Sequence, residues 1–203
     1  MRSKIIIVDL DGTLLDTNTF HKWIIFLFKK TLIKNPIDSF KIGLIIVWRL
    51  AKKISHKEMK YKILKISEKS YYQGYLIEFV ESISKYLNKN VFNYLQDKNS
   101  IYILATAAPD LYASHIAKKY NFDHCIATPS TDIEPWDENI RIEKQKNLKL
   151  LLESLKVEKA NIVITDHHDD IPILALGIER LLVNPSQLSE EKIKENNIDY
   201  NIL

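Results

Sequence analysis

The chain alternates short, almost wholly apolar runs with longer amphipathic stretches. Ile5-Ile6-Ile7-Val8, Ile101-Tyr102-Ile103-Leu104-Ala105 and Ile162-Val163-Ile164 show no polar residue at alternate positions. Strands buried on both faces of a parallel sheet read this way. Strands are predicted at 4–9, 101–106, 123–127, 161–165 and 180–183, with a short final one over Tyr200-Asn201-Ile202-Leu203. Helices are predicted at 109–120, 144–156, 170–177 and 186–195; Leu148, Leu151, Leu152 and Leu155 give the second its helical spacing. The alternation of the two reads as an α/β domain. Residues 129–143, with Pro129, Pro135 and Trp136, read as an irregular or hairpin connection.

Residues 17–95 carry no strand signal and read as four helices. The first runs from about 18 to 33 and stops before Asn35-Pro36. The second runs from Pro36 to about Ile54, where Ser55 caps the next. The third carries Met59, Ile63 and Ile66 and ends near Gln73-Gly74; the fourth carries Leu76, Phe79, Val80, Ile83 and Leu87. The expected division is a core over 1–16 and 96–203 and an inserted helical unit over 17–95.

Composition narrows the class. A chain of 203 residues suits one domain, or a core with a small second unit, and 46% hydrophobic content is globular. The single cysteine, Cys125, permits no internal disulfide and fits a reducing cytoplasm; its apolar surroundings make it a core residue rather than a reactive one. The first residues read as a strand, not a signal peptide, and no segment has the ~18 apolar residues of a membrane span. Net charge is +3, but residues 22–69 hold 13 Lys/Arg against 3 Asp/Glu. That asymmetry marks a separate module and suggests an anionic partner.

The chemistry-bearing residues stand where the apolar runs end. Ile5–Val8 runs into Asp9-Leu10-Asp11-Gly12-Thr13. At strand period Asp9 and Asp11 face one way, and ligands of open α/β sheets gather at the carboxyl ends of strands. Two carboxylates there repel unless a cation or shared proton lies between them, and Mg²⁺ is the hard ion that such sites hold. Thr106 closes the second run, with Pro109 near a helix start whose free N–H groups suit a phosphate. Lys144 and its rival Lys146 precede the Leu148 helix. Asp166 and Asp170 follow the run that ends at Thr165.

Val8-Asp9-Leu10-Asp11-Gly12-Thr13-Leu14, Thr106, a lysine ahead of a helix, and Asp166-x-x-x-Asp170 before Ile171-Pro172-Ile173-Leu174 appear in the order of the four motifs of the haloacid dehalogenase superfamily. The chain resembles that superfamily over about 1–16 and 96–185, and within it the phosphoserine-phosphatase-like branch. The resemblance implies a Rossmann-like parallel-sheet core with a four-helix cap over 17–95; residues 129–143 are too short for a second cap. It implies a Mg²⁺-dependent phosphatase that forms an aspartyl-phosphate. Asp9 would be the nucleophile and Asp11 the acid/base. Thr106, Lys144 and the backbone N–H groups near Leu10 and Ala107, with Gly12 and Thr13, would hold the phosphoryl group. Asp9, Asp11, Asp166 and Asp170 would be the metal residues. Asp11 argues against dehalogenation, since dehalogenases of the superfamily lack that second aspartate. Thr165 stands where the family has Gly, and His167 where it has Ser. His167 and His168 suit Zn, Ni or Mn better than Mg, but carboxylates dominate the loop, which favours rim residues over ligands. The branch's substrate-binding acids follow the first motif, where this chain has Asn18, which argues against phosphoserine.

Ile42 to Trp48 is uncharged and apolar on every face, with Trp23 to Phe28 and several lysines nearby. The favoured reading is a buried bundle helix or a contact with a second subunit. The alternative is a basic, apolar cap lying on an anionic bilayer. The layout is also similar to bacterial phosphatidylglycerophosphatases of the branch. Expected partners are therefore a small-molecule or lipid phosphomonoester and no nucleic acid, with a cytoplasmic location, peripheral to the inner membrane face in the lipid reading. Phosphotransfer to an acceptor alcohol, or phosphate-ligand binding without turnover, are the competing activities.

Overall fold

Six parallel strands form one sheet among the described residues: β1 (Ile5–Val8), β2 (Ile101–Pro109), β3 (His124–Thr128), β4 (Ala160–Thr165), β5 (Gly177–Leu182) and β6 (Asn201–Ile202), in the order β3-β2-β1-β4-β5-β6. The computed structural model describes residues 4–203, apart from the side chains of Ser70 and Tyr71. The first three residues of the expected core segment lie outside that range. Val8 pairs with Leu104 on one side and Ile164 on the other, so β1 is central and the tips of β1, β2 and β4 share one edge.

Both faces of the sheet are covered, which is why its central strands read as unbroken apolar runs. Ile6, Val8, Leu104 and Ile164 face one side; Ile5, Ile7, Ile103 and Val163 face the other. Against the second face pack α8 (Arg141–Ser154), through Leu148 and Leu152, α9 (Ile171–Leu174), and α10 (Gln187–Glu195), through Ile193. Against the first pack α7 (Asp110–Lys119) and the helices inserted between β1 and β2. These are α1 (Thr19–Lys34), α2 (Pro36–Leu50), α3 (His56–Ser67), α4 (Ser70–Gln73), α5 (Leu76–Ile83) and α6 (Lys89–Asn93).

The inserted helices share their apolar core with the sheet. On α1, Phe20, Trp23, Ile24, Leu27 and Thr31 recur at helical spacing and are buried, and Asn18 caps the helix by accepting from the His21 N–H at 2.8 Å. Trp23 packs edge-on against Phe79 of α5 at 4.9 Å, and Phe79 against Tyr112 of α7 at 5.1 Å. Trp23 Nε1 donates to Ser67 Oγ of α3 at 2.9 Å, so its buried polar atom is satisfied.

Several expectations are corrected. β5 starts at Gly177, not 180, because Ile178 and Glu179 are exposed near the edge of the sheet and break the apolar signal. The helix expected over 170–177 shrinks to a 3₁₀ turn at His168–Asp170 and the four residues of α9, since the chain must enter β5 at Gly177. α8 begins at Arg141, three residues early, so the irregular connection ends at Ile140. α2 ends at Leu50 rather than Ile54; Lys52 has φ +56°, which no helix continues. The third expected helix splits into α3 and α4, and α6 follows the fourth. Nor is α2 a buried helix within this chain. It buries Asp38, Ser39, Ile42 and Ile45, while Phe40 (73%), Val47 (57%) and Leu50 (78%) are exposed.

Candidate active site

The main chain extends the ladder one residue beyond β1, where the Asp9 N–H donates to the Ile164 carbonyl at 2.9 Å. It then folds back: Leu14 N–H donates to Asp9 O at 3.2 Å and Leu15 N–H to Leu10 O at 2.9 Å. The turn needs a left-handed residue, and Gly12 supplies it with φ +79°. A Cβ at Gly12 would lie 2.2 Å from Asp166 Oδ2, so the glycine also lets the β1 turn approach the β4 tip.

A cavity of about 270 Å³ opens over these tips, and Asp9, Asp11, Thr106, Ala107, Lys144, Asp166 and Asp170 line it, with Asn18, Ile140, His167 and Asp169 at its edges. Lys144 Nζ donates to Asp9 Oδ1 at 2.7 Å and to both oxygens of Asp170 at 2.9 Å. Thr165 Oγ1 donates to Asp170 Oδ2 at 2.6 Å. Of the two rival lysines, Lys144 is 3% exposed at its side chain; Lys146 is 64% exposed and pairs with Glu143 at 3.3 Å. Asp11 Oδ1 accepts from the Thr19 N–H at 2.9 Å, which ties it to the start of α1.

Two of the other sequence candidates, Leu10 and Thr13, lie behind this wall. Leu10 is fully buried in the core. Thr13, also buried, donates to Asp166 Oδ1 at 3.3 Å, so it holds Asp166 instead of facing the cavity. Thr106 Oγ1 accepts from the Ala108 N–H at 2.9 Å, where β2 loses its regular pairing with β3 between Ala105 and Pro109. The His167 and His168 rings lie tilted to each other with centres 4.0 Å apart, and His168 contacts Ser189 Oγ at 3.3 Å and Lys192 Nζ at 3.2 Å.

Two supporting residues escape a reading of motifs. Asn139, fully buried, donates to the Thr106 carbonyl at 2.9 Å and the Ile126 carbonyl at 3.1 Å, joining the tips of β2 and β3. Lys60 of α3 is buried, donates to the Ala107 carbonyl at 3.2 Å and forms a buried ion pair with Glu138. Its sequence signal is periodicity: Lys60 shares a helix face with Ile63, Leu64 and Ser67, all buried. Asn139 sits in an irregular segment and leaves no such trace.

Electrostatics follow from burial. Burial raises the Asp9 carboxyl, Lys144 opposes that, and the neighbouring Asp170 and Asp166 raise it again, with a net upward shift. Burial pushes Asp11 up to about 6 against the hydrogen bonds from Thr19. Asp166 is also raised, chiefly by burial. Five carboxylates, Asp9, Asp11, Asp166, Asp169 and Asp170, thus line one small cavity with one buried lysine. Asp169 has an arginine partner, Arg141, and the rest is an excess of negative charge that a divalent cation would offset. The donors are oxygens, as a hard ion such as Mg²⁺ requires. His167, His168 and Asp169 also place possible ligand atoms within 4.8 Å of one another, but Lys192 and Arg141 already occupy His168 and Asp169.

The protein of unknown function from Bordetella pertussis Tohama I has a similar structure, with TM-score 0.79 and 16% identity over 100% of this chain and 98% of that one. Substrate-bound phosphoserine phosphatase is similar with TM-score 0.56 and 13% identity, covering 100% and 93%. A phosphoserine phosphohydrolase-like protein from Francisella tularensis gives TM-score 0.54 and 17% identity, covering 98% and 94%. No curated protein matches the sequence. The model of the haloacid dehalogenase-like hydrolases matches residues 6–175, which contain every residue of the cavity wall, and the chain belongs to that family.

Proposed function

We propose that this hydrolase is a Mg²⁺-dependent phosphomonoesterase that works through an aspartyl-phosphate on Asp9. The carrying observation is the buried Lys144–Asp9 contact of 2.7 Å in a cavity that also presents Asp11, Thr106 and Asp166. An Asp9 oxygen attacks phosphorus, and the bond from phosphorus to the leaving alcohol oxygen breaks as Asp11 gives that oxygen a proton. Water then attacks the same phosphorus, Asp11 takes a proton from it, and phosphate leaves with the Asp9 carboxylate restored. Lys144, the Thr106 hydroxyl and the N–H groups around Leu10, Thr13 and Ala107 hold the charge that spreads over the phosphoryl oxygens, while the Gly12 N–H is taken by the Leu15 carbonyl at 2.8 Å and Gly12 serves the turn. Asp9, the Asp11 carbonyl and Asp166, with Asp170 beside them, would hold Mg²⁺, and the ion would supply charge that offsets those oxygens. Since Lys144 takes both Asp170 oxygens, Asp170 serves chiefly to position the lysine.

In this reading residues 17–95 act as a cap on a core of 1–16 and 96–203. The Lys60 contact with Ala107 supports it, because it brings α3 to the β2 tip. The solved phosphoserine phosphatases make a small-molecule phosphomonoester the first substrate class to test. Asn18 at the cavity edge, where an acid would serve a serine ammonium, directs the search to other alcohols.

A second reading, a lipid-linked ester reached from a membrane surface, is favoured by the open face of the α1–α2 hairpin. Leu32, Ile33, Ile37, Phe40, Val47 and Leu50 are exposed there, among Lys29, Lys34, Lys41, Lys52 and Lys53. Among the described residues no helix is long and apolar enough to cross a membrane, so such contact would be peripheral.

Phosphate release from a panel of sugar phosphates, phosphoserine, nucleotides and phosphatidylglycerol phosphate in micelles, with and without Mg²⁺, tests the proposal. Metal-dependent release supports it. Release that persists after chelation, or an absence of release across the panel, counts against it. Co-sedimentation with anionic vesicles tests the second reading.

A further inference from the structure

A second cavity, of about 460 Å³, adjoins the carboxylate centre. It lies between α1, the end of α2 and the start of α3, and its wall is apolar: Phe20, Ile24, Ile46 and Met59 line it, with Arg49 and His56 among them. The size falls in the range of about 300–1,000 Å³ usual for ligand sites. Two links tie it to the Asp9 cavity. Asn18 lines both. Phe20 lies under Lys60, at 5.5 Å from ring centre to Nζ, and Lys60 donates to the carbonyl of Ala107 in the wall of the Asp9 cavity. The residue before Phe20, Thr19, donates its N–H to Asp11. The apolar cavity therefore begins within a residue or two of the group that would protonate a leaving alcohol.

Its chemistry selects an occupant. Phe20 and His56 meet edge-on at 6.2 Å, and Phe20, Ile24 and Met59 are buried in the apolar core. The wall offers a sugar hydroxyl or an ammonium few acceptors: its polar residues are Asn18, His21, Arg49 and His56, Asn18 Oδ1 already accepts from the His21 N–H, and among the described residues no carboxylate lines the cavity. Arg49 makes no ion pair among the described residues and leaves the cavity cationic, which suits the approach of a phosphoester dianion. We infer that this cavity binds the leaving group of the substrate, and that the leaving group is an apolar alcohol, alkyl or aryl, whose chain lies against Phe20, Ile46 and Met59. The inference rests on the reading of Asp9 as the nucleophile of a phosphomonoesterase and specifies its substrate class.

The test is a series of straight-chain esters, ethyl, butyl, hexyl and octyl phosphate, each below its micellar concentration, with the full-length protein and its Ile46→Trp and Met59→Trp variants, which fill the cavity. The readout is the ratio of kcat/KM for octyl over ethyl phosphate, which a general loss of activity does not move. Each buried methylene is worth about a fourfold gain in affinity, so a ratio above about tenfold is expected for the native chain, collapsing toward unity in the variants. A flat series in the native chain, or a steep one that both variants retain, overturns the inference. If no alkyl ester is hydrolysed while a sugar phosphate or nucleotide is, the inference is overturned and the phosphatase reading stands; if neither set is hydrolysed, the phosphatase reading fails, and calorimetric titration with octylphosphonate decides the cavity separately. Binding that is weakened in the variants upholds an apolar ligand site; no binding, or equal binding in native and variant proteins, overturns it.

Discussion

Lys144 Nζ lies 2.7 Å from Asp9 Oδ1 and 2.9 Å from both oxygens of Asp170, and all three side chains are buried. The lysine therefore belongs to the carboxylates and not to solvent. Removing one partner of such a buried pair costs about 3–5 kcal/mol, because it strands the other charge. Lys144→Ala is expected to lose that order of stability in urea unfolding and at least a hundredfold in kcat. Lys146→Ala, on the exposed side of the same helix, should leave both unchanged.

Gly12→Ala should inactivate by displacing Asp166. The substitution combines φ +79° with a Cβ 2.2 Å from the Asp166 carboxylate. The strain of a left-handed alanine is about 1–2 kcal/mol, so the fold should survive a thermal melt with a lowered midpoint. Isothermal titration should show Mg²⁺ affinity falling by more than tenfold. An alanine variant with native Mg²⁺ binding would remove Asp166 from the proposed metal set.

The strand tips were legible in the sequence because strands covered on both faces leave apolar runs, and the chemistry sits where each run stops. Asp9, Thr106 and Asp166 were found that way and share one cavity wall. The order of the motifs, not their separate strength, carried the resemblance, and the family match over residues 6–175 agrees with it. The Lys144 and Lys146 choice was not legible, since helical register alone leaves both near the start of α8. Asn139 and Lys60 owe their positions to contacts 33 and 47 residues away in sequence, which no local pattern encodes. Which face of α2 this chain covers is not legible for the same reason: its residues are apolar on every side, so the sequence fits a buried helix, a subunit contact or a bilayer contact alike, and only tertiary packing decides which side is covered.

Asp38 should stabilise the inserted helices. It is buried near the start of α2, and both Lys69, at 2.7 Å, and the Tyr72 hydroxyl, at 2.7 Å, donate to it. Burial raises its carboxyl, but these hydrogen bonds outweigh that and hold it below the ordinary value. A folded-state pKa that is depressed contributes stability above the unfolded value near 3.9, and the contribution fades as pH falls through the folded value. Asp38→Ala is expected to cost about 2–3 kcal/mol at neutral pH. The difference from the native chain should hold down to about pH 5 and shrink below about pH 4. Urea unfolding of both proteins across that range is the check, and a penalty that grew with acid would contradict it.

Cys125 should be inert. Burial, with Asp110 nearby, pushes its thiol up to about 12, far from the range of reactive cysteines. Alkylation by iodoacetamide at pH 8 should run roughly a thousandfold slower than for a free thiol and speed up on unfolding. Cys125 is half-buried against the core, and modification of the folded chain at the rate of a free thiol would contradict the raised thiol.

The most direct test of the account is acid-quenched turnover with a hydrolysable phosphoester, followed by peptide mapping for a hydroxylamine-labile phosphoryl group. One phosphoryl group is expected on the peptide that carries Asp9, formed only with Mg²⁺ and absent in Asp9→Asn, a variant that should unfold cooperatively like the native chain. A phosphoryl group on another residue, or native turnover by Asp9→Asn, would contradict it.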